Sequence, residues 1–370
     1  MLISFFYVAI ILSLIILYFY YVFFFFKLFK HKNKSIKNKF NSSVSIIICA
    51  KNEYNNLKSN LPLILNQVDV DFEVVVVDDQ SSDSTKILLQ NFANEYNNLS
   101  VVTIENHINK TKGKKFALTL GIKSASHEYL LLTDADCVPS SNKWLYGMTQ
   151  HFNSSNIILG YGSYRRKKSF LNKLIRFDTF NVAIQYFSFS LNKLTYMGVG
   201  RNLAYKRSLF FNNKGFATHI HIPSGDDDLF IQQIANKDNV EIEVNNQYHT
   251  ISEPIISWKK WFYQKRRHIS TSSEYKFKFK FLLSLYPLVQ LIFWILFFIL
   301  VSNELSLFIV LIIFFKLIPT YYLYYDIMKK LSVFDLYFLH PLYEVLFLLI
   351  QVKFVILNFI SQPKKWSYDE

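Results

Sequence analysis

The chain has 370 residues, 51% hydrophobic and 18% aromatic, with a formal net charge of +14. That is more apolar than a single soluble domain of this length needs, so the composition suggests one globular domain plus membrane segments. The positive charge does not call for nucleic acid, because many of the lysines stand beside apolar stretches where anionic headgroups account for them, and the two cysteines, Cys49 and Cys137, have no metal-ligand spacing and suit a reduced compartment.

Residues 1–26 carry no charge. As a helix they extend about 39 Å, enough to cross an apolar core of about 30 Å. The stretch lacks a basic start and ends in Phe23 to Phe26, which marks an uncleaved transmembrane anchor rather than a signal peptide. Lys27, Lys30, Lys32, Lys34, Lys37 and Lys39 follow with no acid among them, so residues 27–42 form a basic cytosolic linker and the N-terminus faces outward.

Within 43–275, the runs 44–49 and 72–77 are short, rich in β-branched residues and followed by polar clusters, the pattern of parallel strands covered on both faces. A third strand at 100–104, a helix at 115–124 and a fourth strand at 129–133 continue the alternation of an α/β domain. Residues 281–303 and 305–325, the second interrupted by Lys316 and Pro319, make a membrane hairpin. Lys276, Lys278 and Lys280 before it and Lys329 and Lys330 after it put both ends in the cytosol. The last apolar segment, 333–360, carries Asp335, Glu344 and Lys353 and contains Pro341, so it is a transmembrane or a re-entrant, interfacial helix; a fourth crossing places Lys364 and Lys365 outside. The whole is an integral protein of the plasma (inner) membrane with its α/β domain in the cytosol.

Ligands of an open α/β sheet bind at the carboxyl ends of the strands. Here those ends are acidic: Ala50-Lys51-Asn52-Glu53, Asp78-Asp79-Gln80-Ser81-Ser82-Asp83 and Asp134-Ala135-Asp136. Two carboxylates at i and i+2 on a turn can aim at one hard cation, Mg²⁺ or Mn²⁺, while a diphosphate supplies further oxygens. The cation also inverts the local sign that would otherwise repel the phosphates. A single acidic pair is more simply a capped turn, but three clusters at the ends of three strands favour the metal and diphosphate. His219, His221 and His249 lack a tight ligand spacing and read as structural, with His249 kept as an alternative extra ligand.

Ser45 to Glu53, Val77 to Thr85 and Thr133 to Asp136 resemble, in that order, the donor-site motifs of family 2 glycosyltransferases, which are inverting enzymes with the GT-A fold. The resemblance covers about residues 43–268. It implies that Ala50 and Glu53 border the nucleotide, that Asp79 bonds the base, that Asp134 serves the sugar or ribose and shares the metal, and that Asp136 is the main metal ligand. Lys114, in Gly113-Lys114-Lys115, matches the family lysine near the donor phosphates, with a solvated helix start as the competing reading. Ser224 to Phe230 resembles the acidic motif whose second acid is the general base; Asp227 takes that place, with Asp226 beside it in the catalytic set. Three adjacent carboxylates repel one another and raise one pKa toward a base's range. Trp261 to His268 resembles the Gln-x-x-Arg-Trp motif of cellulose synthase-like members. The match implies Gln264 and Arg267 at the diphosphate and His268, in place of tryptophan, on the acceptor side; a basic juxtamembrane patch is the alternative. Gly198 to Tyr205 resembles the Gly-rich acceptor-side segment, with Gly200 and Asn202 as its contacts.

The resemblance implies an α/β, GT-A (Rossmann-like) domain plus transmembrane helices, and a metal-dependent inverting transferase. Its donor is a nucleotide sugar, UDP-linked by preference, and its acceptor a lipid-linked or glycan molecule at the membrane, in cell-surface glycan or glycolipid synthesis. A processive polysaccharide synthase and a non-catalytic nucleotide-sugar-binding membrane protein are the rival readings.

Overall fold

The computed structural model describes residues 2–32, 40–104, 113–222, 224–303 and 306–361. Lys34, Lys37 and Lys39 of the basic linker, and Lys364 and Lys365, lie outside the described residues. The chain divides into two compact units, an α/β unit built on Asn33–Lys167 and Lys193–Ile255 and a helical unit of Met1–Lys32, Lys168–Asn192 and Ile256–Pro363.

The α/β unit has β1 (Val44–Ala50), β2 (Phe72–Asp78), β3 (Leu99–Thr103), β4 (Tyr129–Asp134), β5 (Cys137–Pro139), β6 (Ile157–Leu159), β7 (Gly162–Tyr164), β8 (Leu203–Lys206), β9 (Val240–Ile242) and β10 (Thr250–Ser252). A seven-stranded sheet runs in the order β3-β2-β1-β4-β8-β6-β9, and β5-β10-β7 form a small second sheet. β1 is parallel to β2 on one side and β4 on the other, with Ile46 opposite Val74 and Leu131. Ile46, Ile48, Val74, Val76 and Leu131 pack with Leu57, Leu61 and Leu89 in one buried core. Strands covered on both faces need this uninterrupted apolar run, which is why no alternation shows in their sequence.

The helix Lys114–Ser124 lies tight on the sheet at Gly121, where a Cβ would come within 2.7 Å of Ile47 Cγ2. Because β1, β2 and β4 are parallel, their acidic carboxyl ends share one edge. Each runs one residue beyond its expected end, so that Ala50 pairs with Asp78 and Cys49 with Asp134 in the ladder itself.

The contacts do not hold 43–275 together as one unit. The helix Phe170–Leu191 is buried over most of its length and joins the helical unit, where Phe189 stacks on Phe24 at 4.2 Å and Phe180 meets Tyr324 at 5.0 Å. Residues from Ile256 onward belong there too.

In the helical unit, Ile3–Lys30, Phe277–Asn303, Leu307–Lys330 and His340–Ile360 are long and apolar enough to cross a membrane. The expected spans 1–26, 281–303 and 305–325 are thus each longer at one end, since the flanking lysines continue the helices. Pro319 does not break its helix: it cannot donate to the Phe315 carbonyl, and the Tyr18 hydroxyl donates there instead, at 2.9 Å. Lys316 is buried against Glu344, at 2.8 and 3.1 Å, and Trp294 Nε1 donates to the same carboxylate at 2.7 Å. Lys330 Nζ donates to the carbonyls of Leu28, Phe29 and His31, which brings the ends of the first and third long helices together. The segment 333–360 is not one helix but a short 3-10 turn, Phe334–Leu336, followed by His340–Ile360, whose Pro341 sits in the first turn, where a missing N–H breaks no bond.

Candidate active site

The loops after β1 and β2 are stitched to each other. Asn52, in the left-handed region at φ 58°, accepts on Oδ1 from the backbone N–H groups of Ser82 at 2.7 Å and Asp83 at 3.3 Å. Its own N–H donates to Ser81 Oγ at 2.9 Å, and Glu53 N donates to Thr85 Oγ1 at 3.0 Å. Asparagine tolerates this conformation because its short amide bonds locally. Asp79, half-buried, is held by its N–H on the Ala50 carbonyl at 2.8 Å. Burial raises the pKa of Glu53, as do the charges of Asp136 and Asp134, against a bond from Asn56 Nδ2 at 2.6 Å.

Beside this pocket Lys114 links two of the acidic segments, 2.7 Å from Asp134 Oδ1 and 3.3 Å from Asp226 Oδ2. Burial alone would discharge it, but Asp134 and Asp226 hold its pKa well above the ordinary lysine value. In return, and also against burial, Lys114 keeps Asp226 below the usual carboxylate range. Asp227 differs. It accepts from Gly200 N at 2.9 Å and from Asp228 N at 2.8 Å, yet burial and the like charges of Asp226 and Asp228 push it up to about 7. Gly225, at φ +99°, sets the turn that presents these acids, and a Cβ there would lie 2.6 Å from Leu229 Cδ1.

Carboxylate oxygens of Asp134 and Asp136 lie within 4.8 Å of each other and of Cys137 Sγ. Cys137 does not suit a hard cation: burial, then Asp136 and Asp134, raise its thiol pKa, and its Sγ is 3.0 Å from Ser252 Oγ and 3.5 Å from Asp136 Oδ1. Asp136 does suit one. Burial and the charge of Asp134 raise its pKa against Arg201, the excess negative charge that a divalent ion relieves.

Arg201 lies within the Gly198 to Tyr205 segment but is not singled out by it, because its partners come from separate segments. Its guanidinium lies over the Tyr164 ring at 4.3 Å and donates to Ser252 Oγ at 3.2 Å, while its carbonyl accepts from Thr133 Oγ1 at 3.0 Å and Thr250 Oγ1 at 2.9 Å.

The structure thus brings Ala50, Glu53, Asp79, Lys114, Asp134, Asp136, Asp226, Asp227 and Gly200 to one edge of the α/β unit. Asn202 is a correction. Expected on the acceptor side, it is fully buried, accepting from Trp144 Nε1 at 2.9 Å and donating to the carbonyls of Tyr161 at 3.1 Å and Tyr248 at 3.0 Å. These bonds commit its amide to holding β6, β8 and the Tyr248 turn together. His249 has its Nε2 on the Val244 carbonyl at 3.2 Å and its ring edge-on to Tyr161, and burial pushes its pKa down to about 4. Gln264, Arg267 and His268 lie on the helix Trp258–Thr271 of the helical unit, where Arg267 is buried with an Nη2 3.4 Å from His268 Nε2.

A mainly parallel sheet turning antiparallel at β8, with acids at its carboxyl edge, is the GT-A fold of nucleotide-diphospho-sugar transferases, here accompanied by four membrane-length helices. Residues 45–211 match the family model Glycosyl transferase family 2. The sequence is 28% identical over 134 residues to the poly-beta-1,6-N-acetyl-D-glucosamine synthase of Staphylococcus epidermidis, covering 35% of this chain and 31% of that one. It is 35% identical over 104 residues to the glycosyltransferase AglE of Haloferax volcanii, covering 28% and 33%. The chain spans about a third of the length of these curated relatives. The mannosyltransferase PcManGT of Pyrobaculum calidifontis, solved with GDP-Man and Mn²⁺, shares the fold at a TM-score of 0.55 and 17% identity, over 92% of this chain and 98% of its own.

Proposed function

We propose that the chain is an inverting glycosyltransferase that moves a sugar from a nucleotide-sugar donor, a UDP-sugar by preference, to a lipid-linked or glycan acceptor at the plasma membrane, with the α/β unit in the cytosol. One observation carries this reading: Asp227, with its pKa near 7, is held by Gly200 N–H beside the Lys114 bridge between Asp134 and Asp226. A base in that range takes a hydroxyl proton at neutral pH. In the proposed step the acceptor oxygen loses its proton to Asp227 and attacks the anomeric carbon, and the bond to the nucleoside diphosphate breaks, with inversion. Ala50 and Glu53 border the nucleotide and Asp79 bonds its base; Lys114 holds Asp134 in place and faces the phosphates. Asp136 and Asp134 would hold Mg²⁺ or Mn²⁺, which would supply neutralising charge to the diphosphate. Gln264 and Arg267 are assigned to the departing diphosphate and His268 to the acceptor side, on the motif they resemble.

The name of the S. epidermidis relative makes N-acetylglucosamine the first sugar to try. Purified full-length protein in detergent with UDP-N-acetylglucosamine, Mn²⁺ and membrane lipid extract should release UDP, and Asp136→Ala or Asp227→Ala should reduce release at least about hundredfold. Turnover at the wild-type rate in both variants rules the assignment out. That relative is a polymer synthase, which favours a second reading of processive synthesis. Product length separates the two: one added sugar supports single transfer, a ladder supports polymerisation.

A further inference from the structure

Lys114 and Lys115 begin one helix, and consecutive helical side chains diverge by about 100°. Lys114 points to the acids of the cleft. Lys115 turns away and is 5% exposed, its Nζ donating to the carbonyls of His219 at 2.6 Å and Ile222 at 3.0 Å. Those carbonyls belong to the segment that leads into Asp226, Asp227 and Asp228. At one end the segment is pinned by Phe216, packed on Phe210 and Phe230, and at the other by the Gly225 turn. Between them Thr218 Oγ1 reaches Gln233 Oε1 at 3.1 Å, and Lys115 supplies the charged tie. A buried ammonium is costly unless it is paired, and Lys115 spends its donors on backbone carbonyls while its charge acts on all three aspartates. An arrangement this costly fixes geometry that a neutral side chain would leave loose.

We propose that Lys115 is the positioning residue of the acidic turn: by clasping the carbonyls of His219 and Ile222 it fixes the segment that delivers Asp226 and Asp227 to the cleft. The role rests on the glycosyl-transfer reading above. Besides Lys115, the groups acting on Asp227 are Asp226, Asp228, Lys114 and the N–H of Gly200.

The test compares full-chain wild type with K115M, K115R and K115Q. Hydrogen exchange is followed in 217–222 and 226–230, and UDP release is measured with UDP-N-acetylglucosamine as the probe donor. In K115M, exchange should rise about tenfold or more in both segments. Its kcat should fall about hundredfold with KM for the donor within about twofold, as misplacement of a base predicts. K115R should recover most of the loss. K115Q keeps an N–H donor without the charge and should fall between K115M and K115R; if K115M does not fold, K115A, which also lacks a donor, carries the same comparison. Wild-type protection at 226–230 in the neutral variant overturns the proposal, as does a rise in KM with kcat unchanged. A wild-type protein that releases no UDP counts against the donor reading, while the exchange comparison still decides the role of Lys115.

Discussion

Asp227 and Asp226 are neighbours with opposite fates, because Lys114 pairs directly with Asp226 at 3.3 Å, whereas at Asp227 burial and the charges of Asp226 and Asp228 outweigh it. Sequence alone indicates that three adjacent acids cannot all ionise easily; which one is raised depends on burial and on a lysine more than a hundred residues earlier in the chain, which holds Asp226 low. With Asp227 raised to about 7, kcat/KM should climb through pH 7 with an acid limb there, and Asp227→Asn should cost about 10²- to 10⁴-fold and remove that limb. The linkage runs the other way for stability. A carboxyl with a raised folded pKa binds its proton more tightly in the native state, so its contribution is present at low pH and is lost as pH rises from about 4 to about 7. Asp227→Asn should therefore melt a few degrees higher than wild type at pH 8 and no higher at pH 4, as scanning fluorimetry would report. Asn202→Leu tests the correction at that position: it strands the Trp144 N–H and two carbonyls, and should cost about 2–4 kcal/mol while leaving acceptor KM near wild type in the protein that folds.

The strands were readable because parallel strands covered on both faces need continuous apolar runs, and their acidic ends were readable because residues that follow such strands face ligands. Their exact ends were not, since Asp78 and Asp134 are drawn into the ladder by partners on neighbouring strands. The helices show the same division. Lys316 and Pro319 look like interruptions of an apolar segment, and in three dimensions one is neutralised by Glu344 and the other compensated by the Tyr18 hydroxyl. Glu344→Leu leaves Lys316 buried without its counterion and should destabilise the helices by about 3–5 kcal/mol, whereas the double variant Lys316→Met, Glu344→Leu should recover most of that. Thermal aggregation of the detergent-solubilised proteins measures both, and a double variant no better than the single one would refute the pairing argument.

Across the whole molecule, the last long helix is fastened by its C-terminal turn to the helix that precedes Phe277. Arg266 Nε donates to Asn358 Oδ1 at 3.0 Å and Asn358 Nδ2 to the Arg266 carbonyl at 3.0 Å. Ser361 should then lie on the same side of the membrane as Lys276. Single cysteines at these positions, in a Cys49→Ser, Cys137→Ser background, should react with a membrane-impermeant maleimide from the same side; labelling from opposite sides would mean that His340–Ile360 crosses. The sequence by itself determined the lengths of the apolar segments, the parallel α/β alternation and the acidic strand ends, because each follows from local periodicity and from which residues sit next to which. The tertiary structure alone decided that Phe170–Leu191 joins the membrane-length helices, that Asn202 is a structural bracket, and that Asp227 is the acid whose pKa is raised toward neutrality. Those outcomes depend on burial and on charges from distant segments, which only folding brings into range.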